Sequence, residues 1–166
     1  MRMFIPSVFI ILFCISICRS QDTLFATITD TAEIPLLEIG GILGQPTGLD
    51  FQWWFTQRSA VHGILGYSFY EDGRFHASAD YLLNFGFFRI TGGMLPIHFG
   101  IGGVIRIGSG FVFGFRVPVG AEYILDRGAL SLFAQLAPQV NLIDDFGYNF
   151  SGGVGVRLNF GTVGRR

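Results

Sequence analysis

The chain has 166 residues, of which 24 are Gly and 19 are Phe, and its formal net charge is −1. Hydrophobic residue types make up 50% of the sequence and charged types only 14%. The near-neutral charge excludes the basic surface that phosphate binding needs, so no nucleic-acid partner is expected. The high apolar content and low charge also argue against intrinsic disorder.

Residues 1–20 predict an export signal. Arg2 supplies the positive start, an apolar run covers residues 4–17, and Cys18-Arg19-Ser20 offers a site for cleavage after Ser20. The run is shorter than the roughly 20 apolar residues that span a bilayer as a helix, so an uncleaved anchor is the weaker alternative. Acylation of Cys18 is a second alternative, disfavoured because the bulky Ile17 precedes it.

The remaining chain predicts one β-rich domain. Residues 21–35 are polar and are expected to form a periplasmic N-terminal lead, residues 36–160 a barrel, and residues 161–166 a C-terminal tail. After residue 20 no apolar stretch is long enough for a transmembrane helix. Apolar and polar residues instead alternate between short turns, which indicates antiparallel hairpins. The predicted strands are 36–43, 48–56, 60–70, 75–85, 95–107, 111–125, 130–141 and 148–160.

The two faces of these strands differ strongly. On predicted strand six the apolar face holds Phe111, Phe113, Phe115, Val117, Val119, Ala121 and Tyr123, whereas the other face holds Gly114, Arg116, Gly120 and Glu122. A soluble barrel or sandwich would bury the apolar face, and a membrane barrel would turn it outward. The Gly-rich and Lys-free polar faces, the aromatic residues near strand ends, the long strands and the export signal favour the second. The sequence therefore predicts an all-β fold, an eight-stranded antiparallel up-and-down transmembrane β-barrel.

With the apolar face outward, the charged residues of the strands point inward. The predicted interior charge network consists of Glu38, Asp50, Asp80, Arg106, Arg116, Glu122 and Arg157, and the predicted interior histidines are His62, His76 and His98. Charges removed from water need partners, so arginine–carboxylate pairs are expected. Because eight strands enclose just enough room for their own side chains, a plugged interior is expected in place of an open pore. Pro118 and Pro138 fall inside strands, where each removes a ladder donor, and only local widening of the ladder is expected from them.

Several segments resemble a known family when they are taken together. They are Pro46-Thr47-Gly48-Leu49, Leu95-Pro96, Gly100-Ile101-Gly102-Gly103, Arg116-Val117-Pro118-Val119-Gly120, Ala137-Pro138 and Gly152-Gly153-Val154-Gly155-Val156-Arg157 up to Phe160. In this order they resemble a family of small outer-membrane β-barrels of unknown function, first noticed in spirochaetes and compared with the OmpA-type transmembrane domain. The resemblance implies an eight-stranded barrel with both ends in the periplasm and brings no catalytic motif. One departure is that six residues follow Phe160, where such barrels commonly end on the aromatic residue used in insertion.

The sequence favours a non-enzymatic integral outer-membrane protein with a structural or surface-contact role. The expected partners are outer-membrane lipid and the barrel-insertion machinery, while no extracellular partner is assigned and no cofactor or metal is expected. Three alternatives stay open, namely a lipid hydrolase of the lipid A deacylase type that uses His76 and Ser78, a narrow channel, and a soluble lipocalin-like binder. The hydrolase is disfavoured because His76 and Ser78 share their face with Asp80, which is expected inside the barrel. A metal site formed by the three histidines is disfavoured because hydrogen bonding to carboxylates suits them better.

Overall fold

The computed structural model describes residues 34–69, 73–90, 93–125, 128–143 and 146–163. The predicted export signal, its cleavage site after Ser20 and nearly all of the predicted N-terminal lead lie outside these residues. The described part contains nine β-strands: β1 (Ile34–Gln45), β2 (Thr47–Trp54), β3 (Ser59–Ser68), β4 (Arg74–Ile90), β5 (Gly93–Ile107), β6 (Phe111–Arg116), β7 (Val119–Leu125), β8 (Leu130–Asn141) and β9 (Gly147–Val163).

No helix long and apolar enough to cross a bilayer occurs within the described ranges.

The strands form one closed antiparallel sheet. Apart from β6 and β7, each strand pairs with the next along the chain, and β1 closes the sheet by pairing with β9. β6 and β7 both lie between β5 and β8, so together they form one interrupted strand. Each of the strand positions around the barrel is called a course, and β6 and β7 share the sixth. The nine strands therefore occupy eight positions, which confirms the predicted eight-stranded antiparallel up-and-down barrel. Closure leaves no unpaired edge strand.

The break in the sixth course lies at Val117 and Pro118, between β6 and β7. Pro118 has no N–H group to donate, but its carbonyl accepts a hydrogen bond from Gly100 N at 2.8 Å. Val117 N donates to the carbonyl of Pro138 at 3.0 Å, and β8 continues through that proline. The prolines thus interrupt one strand without changing which face its residues occupy.

The hairpin between β4 and β5 is longer than predicted. The predicted fourth strand stopped at residue 85 with a connection at 89–93, whereas β4 runs to Ile90 and β5 begins at Gly93. A bulge between Asn84 and Gly86 shifts the register. Beyond this bulge Phe87 is buried, so the side-chain alternation changes sides there.

The barrel also extends slightly beyond the predicted range 36–160 at both ends. Ile34 pairs with Val163 and Pro35 pairs with Thr162, which lengthens the pairing of β1 with β9. Part of the predicted tail, residues 161–163, is therefore strand. Strand ends fray and carry the weakest sequence signal, so differences of this size are ordinary.

The register fixes the stagger of the barrel. Glu38 on β1 pairs with Asn159 on β9. The row of paired residues that starts at Glu38 and runs the other way around the barrel, through β2, β3, β4, β5, β6 and β8, returns to β9 at Asn149. The stagger is therefore ten residues. With eight courses it corresponds to a strand tilt of about 40°, an axial rise of about 2.5 Å per residue and a backbone radius of about 8 Å. An interior of that width can be filled by side chains alone.

Candidate functional site: a buried charge network inside an apolar surface

The outward face of the barrel is apolar and exposed. Ile101 has 62% of its surface exposed, Leu136 57% and Phe115 52%. Soluble proteins rarely expose a continuous apolar surface of this kind, because contact with water is unfavourable for it. The residues that face outward therefore have the pattern of a core turned inside out.

Aromatic residues mark the two ends of this apolar surface. On β9 the exposed Phe150 and Phe160 bracket Gly152, Val154, Val156 and Leu158. At about 2.5 Å per residue these ten positions span about 25 Å, the height of the apolar band of outer-membrane barrels. Rings also cluster near strand ends elsewhere, with Trp53 and Phe55 centroids 6.3 Å apart and Tyr67 and Phe69 centroids 5.3 Å apart.

The inward face is polar. The structure places all ten sequence-predicted interior residues in buried positions: Glu38, Asp50, His62, His76, Asp80, His98, Arg106, Arg116, Glu122 and Arg157. They come from eight of the nine strands, and β8 alone supplies none of them. Alternation of side chains along each strand brings them to the common axis.

Arg157 lies at the centre of the contacts. Its Nε donates to Asp50 Oδ1 at 2.5 Å, and its Nη1 donates to Glu122 Oε2 at 3.0 Å. Nη1 also lies 3.7 Å from Glu38 Oε2. The guanidinium carbon sits 3.8 Å from the ring centroid of Phe133, a cation–π contact. One buried cation thus joins carboxylates from three other strands.

His62 bridges two carboxylates. Its Nε2 is 2.8 Å from Asp50 Oδ2 and its Nδ1 is 2.9 Å from Asp80 Oδ2, with all three side chains fully buried. When both acids are ionised their oxygens can only accept, so both ring nitrogens donate, which only the imidazolium form can do. The arrangement therefore suits a protonated His62 between two carboxylates.

Arg116 continues the alternation of charges. Its Nε lies 3.3 Å from Asp80 Oδ1, and its Nη1 donates to Ser78 Oγ at 2.8 Å. The sequence of contacts Arg116–Asp80–His62–Asp50–Arg157 alternates cation and anion across the barrel. Such alternation offsets part of the cost of removing each charge from water.

Two neutral members of the network escaped the sequence analysis. Gln52 Nε2 donates to Glu38 Oε2 at 2.9 Å and to Glu122 Oε2 at 3.3 Å, and Trp54 Nε1 donates to Glu38 Oε2 at 3.4 Å. Both follow Asp50 at alternate positions of β2, so the same parity rule could have found them. The sequence prediction named only charged residues and histidines as interior positions.

Arg106 and the other two histidines are not links in the chain of contacts that runs from Arg116 to Arg157. Arg106 Nη2 donates to Asn141 Oδ1 at 2.8 Å. His76 stands opposite Arg106 in the register, whereas His98 stands opposite Asn84 and Gly120. The three histidines therefore do not converge, and among the described residues no cluster of His, Cys, Asp or Glu suits a metal ion.

The His76 and Ser78 pair faces the interior. His76 is 2% exposed and Ser78 is 9% exposed, and the Ser78 hydroxyl accepts the hydrogen bond from Arg116. Lipid acyl chains would meet the exposed apolar face, on the opposite side of the sheet. The pair thus lacks the exposure to lipid that the hydrolase alternative requires.

The solved structures contain a similar barrel. The chain is similar to the N-terminal β-barrel domain of OprF from Pseudomonas aeruginosa, with a TM-score of 0.58 and 18% sequence identity. The match covers 75% of this chain and 95% of that one. At this identity the likeness establishes the fold, an OmpA-like β-barrel. No protein-family model matches the chain, and no curated protein matches it.

Proposed function

We propose that this chain is a non-enzymatic integral outer-membrane β-barrel whose interior is plugged by arginine–carboxylate pairs and whose role is structural or surface contact. The observation that carries the proposal is the reversed distribution of side chains. Exposed Phe, Leu, Ile and Val residues cover the outside, while Arg157, Arg116 and their carboxylates pair inside.

Lipid is the solvent that suits this exterior. An Arg on the lipid face at the bilayer midplane would cost about 2–4 kcal/mol. The described exposed residues of the central band are instead uncharged, chiefly aliphatic with Phe51 and Tyr81 among them, and further aromatic residues flank the band as membrane interfaces favour. Closure of the sheet also satisfies every strand edge, which a bilayer requires.

The location follows from the sequence features and the fold together. We infer that the chain is exported, that cleavage after Ser20 removes residues 1–20, and that residues 21–35 form a periplasmic lead. The expected partners are outer-membrane lipid and the barrel-insertion machinery. Both ends of the barrel then lie on the periplasmic side, as the family resemblance implies.

The soluble alternative conflicts with the observed burial. A lipocalin-like binder would hide its Phe face and expose its charges, yet Phe115 is 52% exposed while Arg116 is 1% exposed. The non-enzymatic part of the proposal is supported by the inward orientation of His76 and Ser78. A narrow channel stays the second candidate, because the polar interior follows the barrel axis.

Heat-modifiable gel migration tests the membrane barrel. The chain is refolded from denaturant into detergent micelles, and boiled and unboiled samples are compared. Folded membrane barrels resist the gel detergent, so we expect the unboiled sample to migrate differently from the boiled one. Identical migration, together with partition into the aqueous phase of a detergent extraction, would contradict the proposal and favour the soluble alternative.

A further inference from the structure

The two ends of the barrel interior differ in chemistry. The terminus end is the end at which β1 begins and β9 finishes, and the opposite end carries the β1–β2 and β8–β9 connections. At the terminus end six of the eight courses turn a buried apolar side chain inward, an apolar ring made of Ile34, Trp54, Ala60, Leu82, Phe87, Pro96 and Ile124. The other two courses contribute Ser131 and Asn159, and Ser131 Oγ donates to Asn159 Oδ1 at 3.0 Å. β4 also turns the buried Asn84 inward, between Leu82 and Phe87.

The opposite end is more polar. Its described inward-facing side chains include Ser68, His76, Arg106, Gln139, Asn141 and Ser151, together with the apolar Val104 and Val112, all buried. The charge network lies between these two regions. From one end to the other, the interior thus passes from apolar through charged to polar.

We propose that the apolar ring, and not the ion-pair network, is the barrier that keeps water and ions from crossing the barrel. The polar interior then communicates only with the end opposite the termini. This inference rests on the proposed membrane-spanning barrel. It places the closure of the barrel interior at the apolar ring. Charged groups can exchange partners with water, whereas a narrow apolar constriction excludes water by dewetting.

Trp54 is the largest member of the ring and joins it to the network. It is 1% exposed, and its Nε1 donates to Glu38 Oε2 at 3.4 Å. The indole therefore presents its polar edge to the charged region and fills the ring with the remainder of its surface.

The bulge in β4 also serves the ring. Without the register shift between Asn84 and Gly86, strict alternation from Leu82 and Asn84 would turn Gly86 inward and Phe87 outward. With the shift, Phe87 is 7% exposed and belongs to the ring. The one extra residue of the bulge thus turns the side chain of Phe87 inward at this end, where strict alternation would have placed Gly86.

Conductance across planar lipid bilayers tests the barrier. Four proteins are compared at matched amounts after each is shown to be folded by heat-modifiable migration: wild type, Trp54→Ala in the ring, Glu122→Gln in the network, and Leu132→Ala on the outward face as a control. Leu132 is 45% exposed to the outside. We expect Trp54→Ala to raise the frequency of ion-conducting openings at least tenfold over wild type, while the other two variants stay at the wild-type level.

Two results would overturn the inference. One is a folded Trp54→Ala variant as silent as wild type, and the other is a Glu122→Gln variant that conducts as often as Trp54→Ala. If Trp54→Ala fails to fold, Ile124→Ala replaces it under the same criteria. Failure of the proposed function is distinguishable, because wild type itself would then either fail to insert or conduct without any substitution.

Discussion

At the scale of single residues, the interior is stabilised by basic side chains that each contact more than one acidic side chain. Arg157 contacts Asp50, Glu122 and Glu38, and His62 contacts Asp50 and Asp80. The formal charges of the seven predicted residues give one excess acid, which the imidazolium of His62 offsets. Buried carboxylates that lose such a partner keep the full cost of their desolvation.

Substitution of Arg157 by Ala is expected to lower the free energy of unfolding by about 3–5 kcal/mol, because three carboxylates lose their shared cation. The measurement is urea unfolding of the protein refolded into lipid vesicles. Arg58, which is exposed in the β2–β3 connection, provides the matched control. Arg58→Ala should change stability by at most about 1 kcal/mol, because contacts of an exposed arginine contribute little, and equal effects of the two substitutions would contradict the network.

Glycine has a steric role next to this network. A Cβ added at Gly102 would overlap the carboxylate of Asp80 and the carbonyl of Ala79, whereas a Cβ at Gly86 would meet nothing within 4 Å. We expect Gly102→Ala to destabilise the barrel by about 1–3 kcal/mol and Gly86→Ala to leave it nearly unchanged. The same unfolding assay compares them, and a neutral Gly102→Ala would show that the interior has spare room.

At the scale of the strands, the alternation of apolar and polar residues predicted most of the fold. Because side chains alternate with a period of two, the sequence could assign faces, and predicted strand seven matches β8 at both bounds. The β4 extension escaped prediction because residues 85–88 are apolar or Gly at every position, so no alternation is visible there. The pairing partners escaped it too, since Arg157 and Asp50 are 107 positions apart and meet only through the stagger of the closed sheet.

The outward faces of β5 provide a depth-dependent test. Ile101 lies midway along the strand and Ile107 at its end, and both are exposed. In lipid vesicles Ile101→Arg should cost about 2–4 kcal/mol and Ile107→Arg about 0–1 kcal/mol, because the cost of a charge falls towards the interface. Equal and negligible costs at both sites would indicate that water covers this face.

At the scale of the whole molecule, the strands of residues 34–163 form a barrel in which each strand is tilted from the axis. Its outer face is apolar and its inner face is polar. The stagger of ten residues sets the radius, and the radius sets how many side chains the interior must hold. The likeness to the OprF barrel at 18% identity shows that this architecture tolerates very different sequences. In this chain the architecture encloses the charge network and the apolar ring.

The most direct measurement uses the two tryptophans, which are adjacent and face opposite ways. Trp53 is 49% exposed on the outside and Trp54 is 1% exposed inside, and the chain has no other tryptophan. Trp54→Phe and Trp53→Phe each leave a single fluorophore, whose quenching is measured in vesicles of brominated phosphatidylcholine. The account predicts strong quenching of Trp53 and weak quenching of Trp54, whereas equal quenching or the reverse order would contradict an exterior that faces lipid.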